Sequence, residues 1–118
     1  MSYRDEWMEL VTKYLDIFRN DHCGYWLRAI AHDDGGWLVW EDDEEHLLGQ
    51  EPNADVAKSS WERRVPLPLG WYYLDTVAAS KAYDIGVLQW GENWYEEGDS
   101  DDFDVVIQLA LLGEVRYN

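Results

Sequence analysis

The sequence predicts an α+β domain, in which a small antiparallel sheet built on a central β-hairpin has about three helices packed on one face. Three observations lead there. Two apolar runs, residues 25–31 and 37–40, flank the turn sequence Asp33-Asp34-Gly35-Gly36. Residues 4–19 and 103–112 carry apolar groups at helical spacing or nearly all round. The chain has 118 residues and one cysteine, a length that buries roughly two-thirds of its unfolded surface without staples. One domain spanning 1–118 is expected.

Taken in order, the first element is a helix over 4–19. Trp7, Leu10, Val11, Tyr14, Leu15 and Phe18 recur at spacings of three and four, which places them on one face. Asp5 and Glu6 near its start and Arg19 at its end match the helix dipole. Asn20-Asp21 then breaks the pattern and leads into the hairpin.

A two-residue hairpin turn of the favoured type needs positive φ at both central residues, which Asp34-Gly35 or Gly35-Gly36 supplies. Either centring leaves the same residues on the same face. Leu27, Ala29, Ala31, Leu38 and Trp40 form the face assigned to the core, under the helices that hold Trp7 and Ile107. The other face carries Trp26, Arg28, Ile30, His32, Trp37, Val39 and Glu41, a mixture suited to contact. Because it would leave apolar area in water, this face is expected to be covered by the 61–70 segment or by a second copy of the chain, as a homodimer.

The stretch 43–60 reads mainly as loop, with Asn53 able to cap a short helix through Lys58. Trp61 opens an extended segment in which Pro66 and Pro68 hold their predecessors out of the helical region. Residues 71–83 resume helical spacing through Leu74, Val77, Ala78 and Ala82, with Gly86 just beyond. A strand over 87–90, an acidic aromatic loop over 91–98, a helix capped by Ser100 and ended by Gly113, and an edge strand over 115–117 complete the reading.

Charge bounds the function. There are 25 Asp and Glu against 9 Lys and Arg, a net charge of −16. Direct binding to nucleic acid or an anionic bilayer is not expected, since both need clustered positive charge. With 8 Trp, 8 Tyr and 47% hydrophobic residues, the acid sits on a folded body rather than a disordered tail. No apolar run approaches the ~20 residues of a spanning helix. No basic start followed by an apolar stretch marks a signal peptide, so a cytoplasmic location is expected.

The acids are also segregated. Nine lie between Arg28 and Lys58 and nine between Lys81 and Arg116, with no Lys or Arg inside either window. Like charges held together cost stability, and solubilising charge is ordinarily interspersed. The expected function is therefore a non-enzymatic acidic binding protein that contacts a basic protein partner. Its binding residues are Glu41, Asp42, Asp43, Glu44, Glu45, Glu96, Glu97, Asp99, Asp101 and Asp102, with Trp26, Arg28, His32 and Trp37 as a further contact face. Duplex DNA shows a charge about every 1.7 Å of axis, so rows of Asp and Glu also suit a nucleic-acid mimic that inhibits a DNA- or RNA-handling protein. The alternative is an acidic, salt-adapted domain that binds a small ligand through surface Trp and Tyr.

Other chemistries find weaker patterns. Counted from Asp99, the fifth, sixth and twelfth positions of a calcium loop fall on Phe103, Asp104 and Ala110, where the motif needs an oxygen, a glycine and a glutamate. His22, His32 and His46 lack paired-ligand spacing, so no metal and no cofactor are assigned. Cys23 beside His22 is adjacent in sequence, whereas a catalytic pair meets through space. Carboxylates beside aromatics, as in Trp40-Glu41 and 92–96, suit a sugar cleft, yet any chain this rich in both would show them.

Overall fold

The computed structural model describes residues 3–15, 22, 25–33, 36–42 and 54–117. Within these, helix α1 (Tyr3–Lys13) is followed by strands β1 (Leu27–Asp33) and β2 (Gly36–Glu41) and helix α2 (Ala54–Arg63). Strand β3 (Trp71–Asp75) and helices α3 (Thr76–Trp90), α4 (Trp94–Glu97) and α5 (Ser100–Leu112) follow. The fold is the expected α+β type, with a three-stranded antiparallel sheet in the order β1-β2-β3. The hairpin thus supplies the central strand.

Register explains which side chains meet which helices. Asp33 pairs with Gly36, His32 with Trp37 and Ala31 with Leu38, the register of a two-residue turn centred on Asp34-Gly35, which itself lies outside the described residues. A bulge between Ala29 and Ala31 then shifts the pairing, so Ala29 meets Val39, Arg28 meets Trp40 and Leu27 meets Glu41. One extra residue reverses the alternation beyond it. Leu27 and Ala29 consequently join Trp37, Val39, Tyr72 and Leu74 on the face under the helices of Trp7 and Ile107. Leu38 and Trp40 do not pack there: they lie on the opposite face, which corrects the expected core.

That opposite face is covered from within the chain. Leu38, Trp40, Ala57 and Trp71 form a second buried cluster, joined by Ile30, Trp61 and Leu67. Trp61 and Leu67 of the expected 61–70 segment, together with Ala57, thus cover Ile30, whereas Trp26, Trp37 and Val39, expected under the same cover, pack in the cluster with Trp7 and Ile107; the sheet gives no reason to invoke a second copy. Gly70 is required here: its φ is 90°, and a Cβ would sit 2.2 Å from the Trp40 ring. Trp61 belongs to α2 rather than to an extended segment, and the chain extends only beyond Arg64.

Residues 71–83 do not form one helix. Trp71-Tyr72-Tyr73-Leu74-Asp75 is an aromatic strand paired to β2, and the helix begins only at Thr76, where the Asp75 carboxylate accepts from the Ala78 N–H at 2.9 Å. α3 then runs through the region expected as a strand, with Gly86 inside it. Asp99, not Ser100, caps α5, and its capping box is completed by Asp102. Gly113 ends α5 as expected and does so in the left-handed conformation, while residues 115–117 form no strand.

Candidate partner-binding surface

Among the described residues, the acids of the two windows divide into carboxylates that build the fold and carboxylates that face water. Glu41 belongs to the first group, being 2% exposed. It accepts from the Tyr72 hydroxyl at 3.1 Å and from the Tyr117 hydroxyl, and pairs with Arg116. Burial and the Glu41 carboxylate push the Tyr72 hydroxyl up to about 12. The Glu41 bond holds Arg116 protonated more firmly than usual. Glu41 is therefore a buried clamp for the C-terminal segment and not the surface contact expected of it.

Asp104 is a second buried carboxylate. It accepts from Trp26 Nε1 at 2.8 Å, from Gln108 Nε2 at 3.2 Å and from the Tyr25 hydroxyl. Gln108 extends the network, its Oε1 accepting from the N–H groups of Arg116 and Tyr117, both at 2.8 Å. Trp26 is fully buried and stacks on Tyr117 with ring centroids 5.2 Å apart, so it is no contact residue either. Trp37 is half-buried and donates to the Thr12 carbonyl at 2.8 Å. Of the described side chains of that expected contact face, only Arg28 is exposed, 3.8 Å from Asp42. The His32 side chain, with Asp43, Glu44 and Glu45, lies outside what the structure describes.

Of the acids expected to bind, those exposed among the described residues lie on α4 and at the start of α5. Glu96, Glu97, Asp99 and Asp101 are exposed and Asp102 is half-buried. Asp99 and Asp102 are engaged as the α5 cap: Asp99 accepts from the N–H of Asp101 at 3.0 Å and of Asp102 at 3.2 Å. The Asp102 carboxylate accepts from the Asp99 N–H at 3.3 Å. Glu96 and Glu97 have no such duty in the helix, and Glu96, bonded by Tyr3, stands near acids absent from the expected set.

Those acids are Glu6 and Glu9 on α1. Glu6, Glu9, Leu10, Tyr14 and Tyr95 line a shallow groove of about 250 Å³ where α1 meets α4. Tyr95 packs on Tyr3 at 6.0 Å and on Trp7 at 6.2 Å. A hydrogen bond to Glu96 raises the Tyr3 hydroxyl above its ordinary value, and burial followed by the nearby Glu6 charge raises that of Tyr95. None of Glu6, Glu9, Glu96 and Glu97 pairs with a Lys or Arg among the described residues. Arg4, the nearest arginine in sequence, is committed elsewhere: it pairs with Asp84, bonds Ser80 at 3.1 Å and lies 4.6 Å from the Tyr83 ring centre. The signal in the sequence was present, since Glu6 and Glu9 lie three apart on the polar side of the Trp7-Leu10-Val11 stripe, outside both acidic windows.

One arrangement resembles a nucleophile and base. His22 Nδ1 lies 2.8 Å from Ser100 Oγ, beside a cavity of about 370 Å³ whose lining includes Tyr25, Asp101 and Asp104. Acyl transfer needs donors aimed at a developing oxyanion, whereas the Asp101 and Asp102 N–H groups point at the Asp99 carboxylate. The surrounding acids oppose a second negative charge. Among the described residues no group of three or more His, Cys, Asp or Glu is placed to hold a metal ion, and no helix is long and apolar enough to cross a membrane.

Comparison of the chain with protein-family models, with curated proteins and with solved structures finds no match.

Proposed function

We propose that this is a non-enzymatic acidic binding protein whose α1–α4 surface receives a basic protein partner. The observation that carries this reading is the convergence of Glu6 and Glu9 from one helix with Glu96 from another, around Tyr3 and Tyr95 and without a pairing cation among the described residues. Like charges brought together from separate elements repel, and a cationic partner converts that repulsion into attraction. Tyrosines beside the carboxylates offer rings on which an arginine stacks. Glu97, Asp99, Asp101 and Asp102 extend the acid along α4 and the first turn of α5. A row of this kind also suits mimicry of a phosphate backbone, with the target a protein that grips DNA or RNA.

The experiment is capture from the source cell at about 50 mM and 500 mM salt, concentrations that bracket the change in screening length. The wild-type chain and a Glu6→Lys, Glu9→Lys, Glu96→Lys variant serve as bait. A basic protein retained at low salt, released at high salt, displaced by duplex DNA and lost with the variant supports the reading. A partner held equally by both baits, or unaffected by salt, refutes it. Folding that requires molar salt, with no partner at any salt, favours the salt-adapted alternative.

A further inference from the structure

Helix α3 has one largely exposed face, which Arg4 of α1 touches at Ser80 and Asp84. Ala79, Ala82, Tyr83 and Gly86 are buried against the rest of the molecule. The opposite side presents Val77, Lys81, Asp84 and Leu88, at spacings of four, three and four, which line up as one stripe. Val77 is 74% exposed and Leu88 86% exposed. With Ser80 and Ile85 they border an open groove of about 590 Å³.

Single exposed apolar residues are ordinary; the order of this stripe is not. Read from either end it runs apolar, charged, oppositely charged, apolar. Two such helices set antiparallel therefore match at every position. We propose that α3 packs against α3 of a second copy about a two-fold axis between Ala82 and Tyr83. Val77 then meets Leu88 at both ends, Lys81 meets Asp84 twice at the centre, and Ser80 leaves room for Ile85. This is the self-complementary patch that a two-fold dimer requires. The axis falls close to the middle of the fifteen-residue helix, so the two helices overlap along its length.

Charge favours this place over others on a chain of net charge −16. Lys81 and Asp84 are the only charged residues of α3, and Arg4 adds a cation beside Asp84. The Asp84 carboxylate has lone pairs left for the partner's lysine after accepting from Arg4. Two acidic bodies still repel at a distance, and salt screens that term. Self-association through α3 therefore strengthens from low to moderate salt, the reverse of binding to a basic partner. An interface of one helix pair falls in the weak class, below roughly 1,200 Å².

The test is sedimentation equilibrium of the full chain up to about 1 mM, a range that reaches weak association. Wild type is expected to dimerise, more at 300 mM than at 50 mM salt, and Leu88→Glu is expected to weaken the dimer at least ten-fold. Leu88 is so exposed that its variant keeps the fold, which circular dichroism checks. Lys81→Glu alone and Asp84→Lys alone each place like charges opposite one another and are expected to be monomeric. An equimolar mixture of the two restores both attractive pairs and is expected to form the heterodimer, read by native mass spectrometry. A wild type that stays monomeric throughout, a dimer indifferent to Leu88→Glu, or a mixture no tighter than either variant alone overturns the proposal.

Discussion

Arg116 reaches back across 75 residues to pair with Glu41, and the two partners sit in different media. The Glu41 side chain is 3% exposed and that of Arg116 39%. Removing the arginine leaves a buried carboxylate held only by tyrosine hydroxyls. Neutralising Glu41 instead lets Arg116 turn to water and to Glu114, 3.1 Å away. The larger loss falls where a buried charge is stranded, so Arg116→Ala is expected to cost about 2–3 kcal/mol and Glu41→Gln about 1 kcal/mol. Urea titration of both variants measures the difference, and the reverse order contradicts this account of the clamp.

The same clamp sets an alkaline limit. Burial first, and the Glu41 carboxylate second, raise Tyr72 from 10.0 to about 12. A raised pKa means that the folded state holds the proton more tightly than the unfolded chain. The associated stability is complete below pH 10 and is lost as pH climbs toward 12. Tyr72 is only half-buried, so solvent screening reduces the effect to on the order of 1 kcal/mol. Other tyrosines titrate in the same range, and the comparison that isolates this one is Tyr72→Phe. The gap between wild type and variant should narrow across that window. A constant gap shows that Tyr72 does not report on Glu41.

Gly86 lies inside α3, where Gly→Ala ordinarily stabilises a helix by roughly 0.5–1 kcal/mol. Here the sign should reverse. A Cβ at Gly86 would stand 2.2 Å from the Trp94 ring. That indole is 2% exposed, donates to the Tyr83 carbonyl at 3.1 Å and packs edge-on against Trp7 and Phe103. It has no free volume to enter, and overpacking of this kind costs about 1–3 kcal/mol. Thermal denaturation of Gly86→Ala decides the point: a higher Tm than wild type means that Trp94 does not occupy the notch.

These contacts show why the sequence was informative in some places and silent in others. The hairpin, the expected first helix as far as Lys13 (its continuation over 16–19 lies outside the described residues), α5 and the Gly113 stop were legible because each is encoded locally, by turn residues, by apolar spacing or by a cap. Leu38 and Trp40 went to the wrong face because the bulge at Ile30 carries no glycine or other local sign, yet reverses the alternation of everything before it. The strand over 71–75 was hidden by chance helical spacing of Leu74 with Val77 and Ala78. Asp75-Thr76 marks the true helix start, and a run of aromatic residues before a capping aspartate is the better cue. The acidic surface was half legible. Glu96 and Glu97 stood in a window without cations, while Glu6 and Glu9 meet Tyr95, next to Glu96 in the chain, only through the packing of α1 on α4.

If the acids of the α1–α4 surface serve a partner, they should be a burden to the chain alone. Glu9→Lys with Glu97→Lys tests this without touching the α5 cap or the Glu96 partner of Tyr3. Relief of repulsion is expected to raise Tm by about 2–5 °C at 50 mM salt, corresponding to roughly 0.5–1 kcal/mol. Raising salt to about 500 mM screens the same repulsion, so the wild type should gain more than the variant and the two should converge. Binding to the basic partner should weaken in the same variant, because its attraction and the chain's self-repulsion arise from one set of charges. A variant that is less stable at low salt and still binds would mean that these carboxylates support the fold instead, and the α1–α4 surface would lose its claim as the binding site.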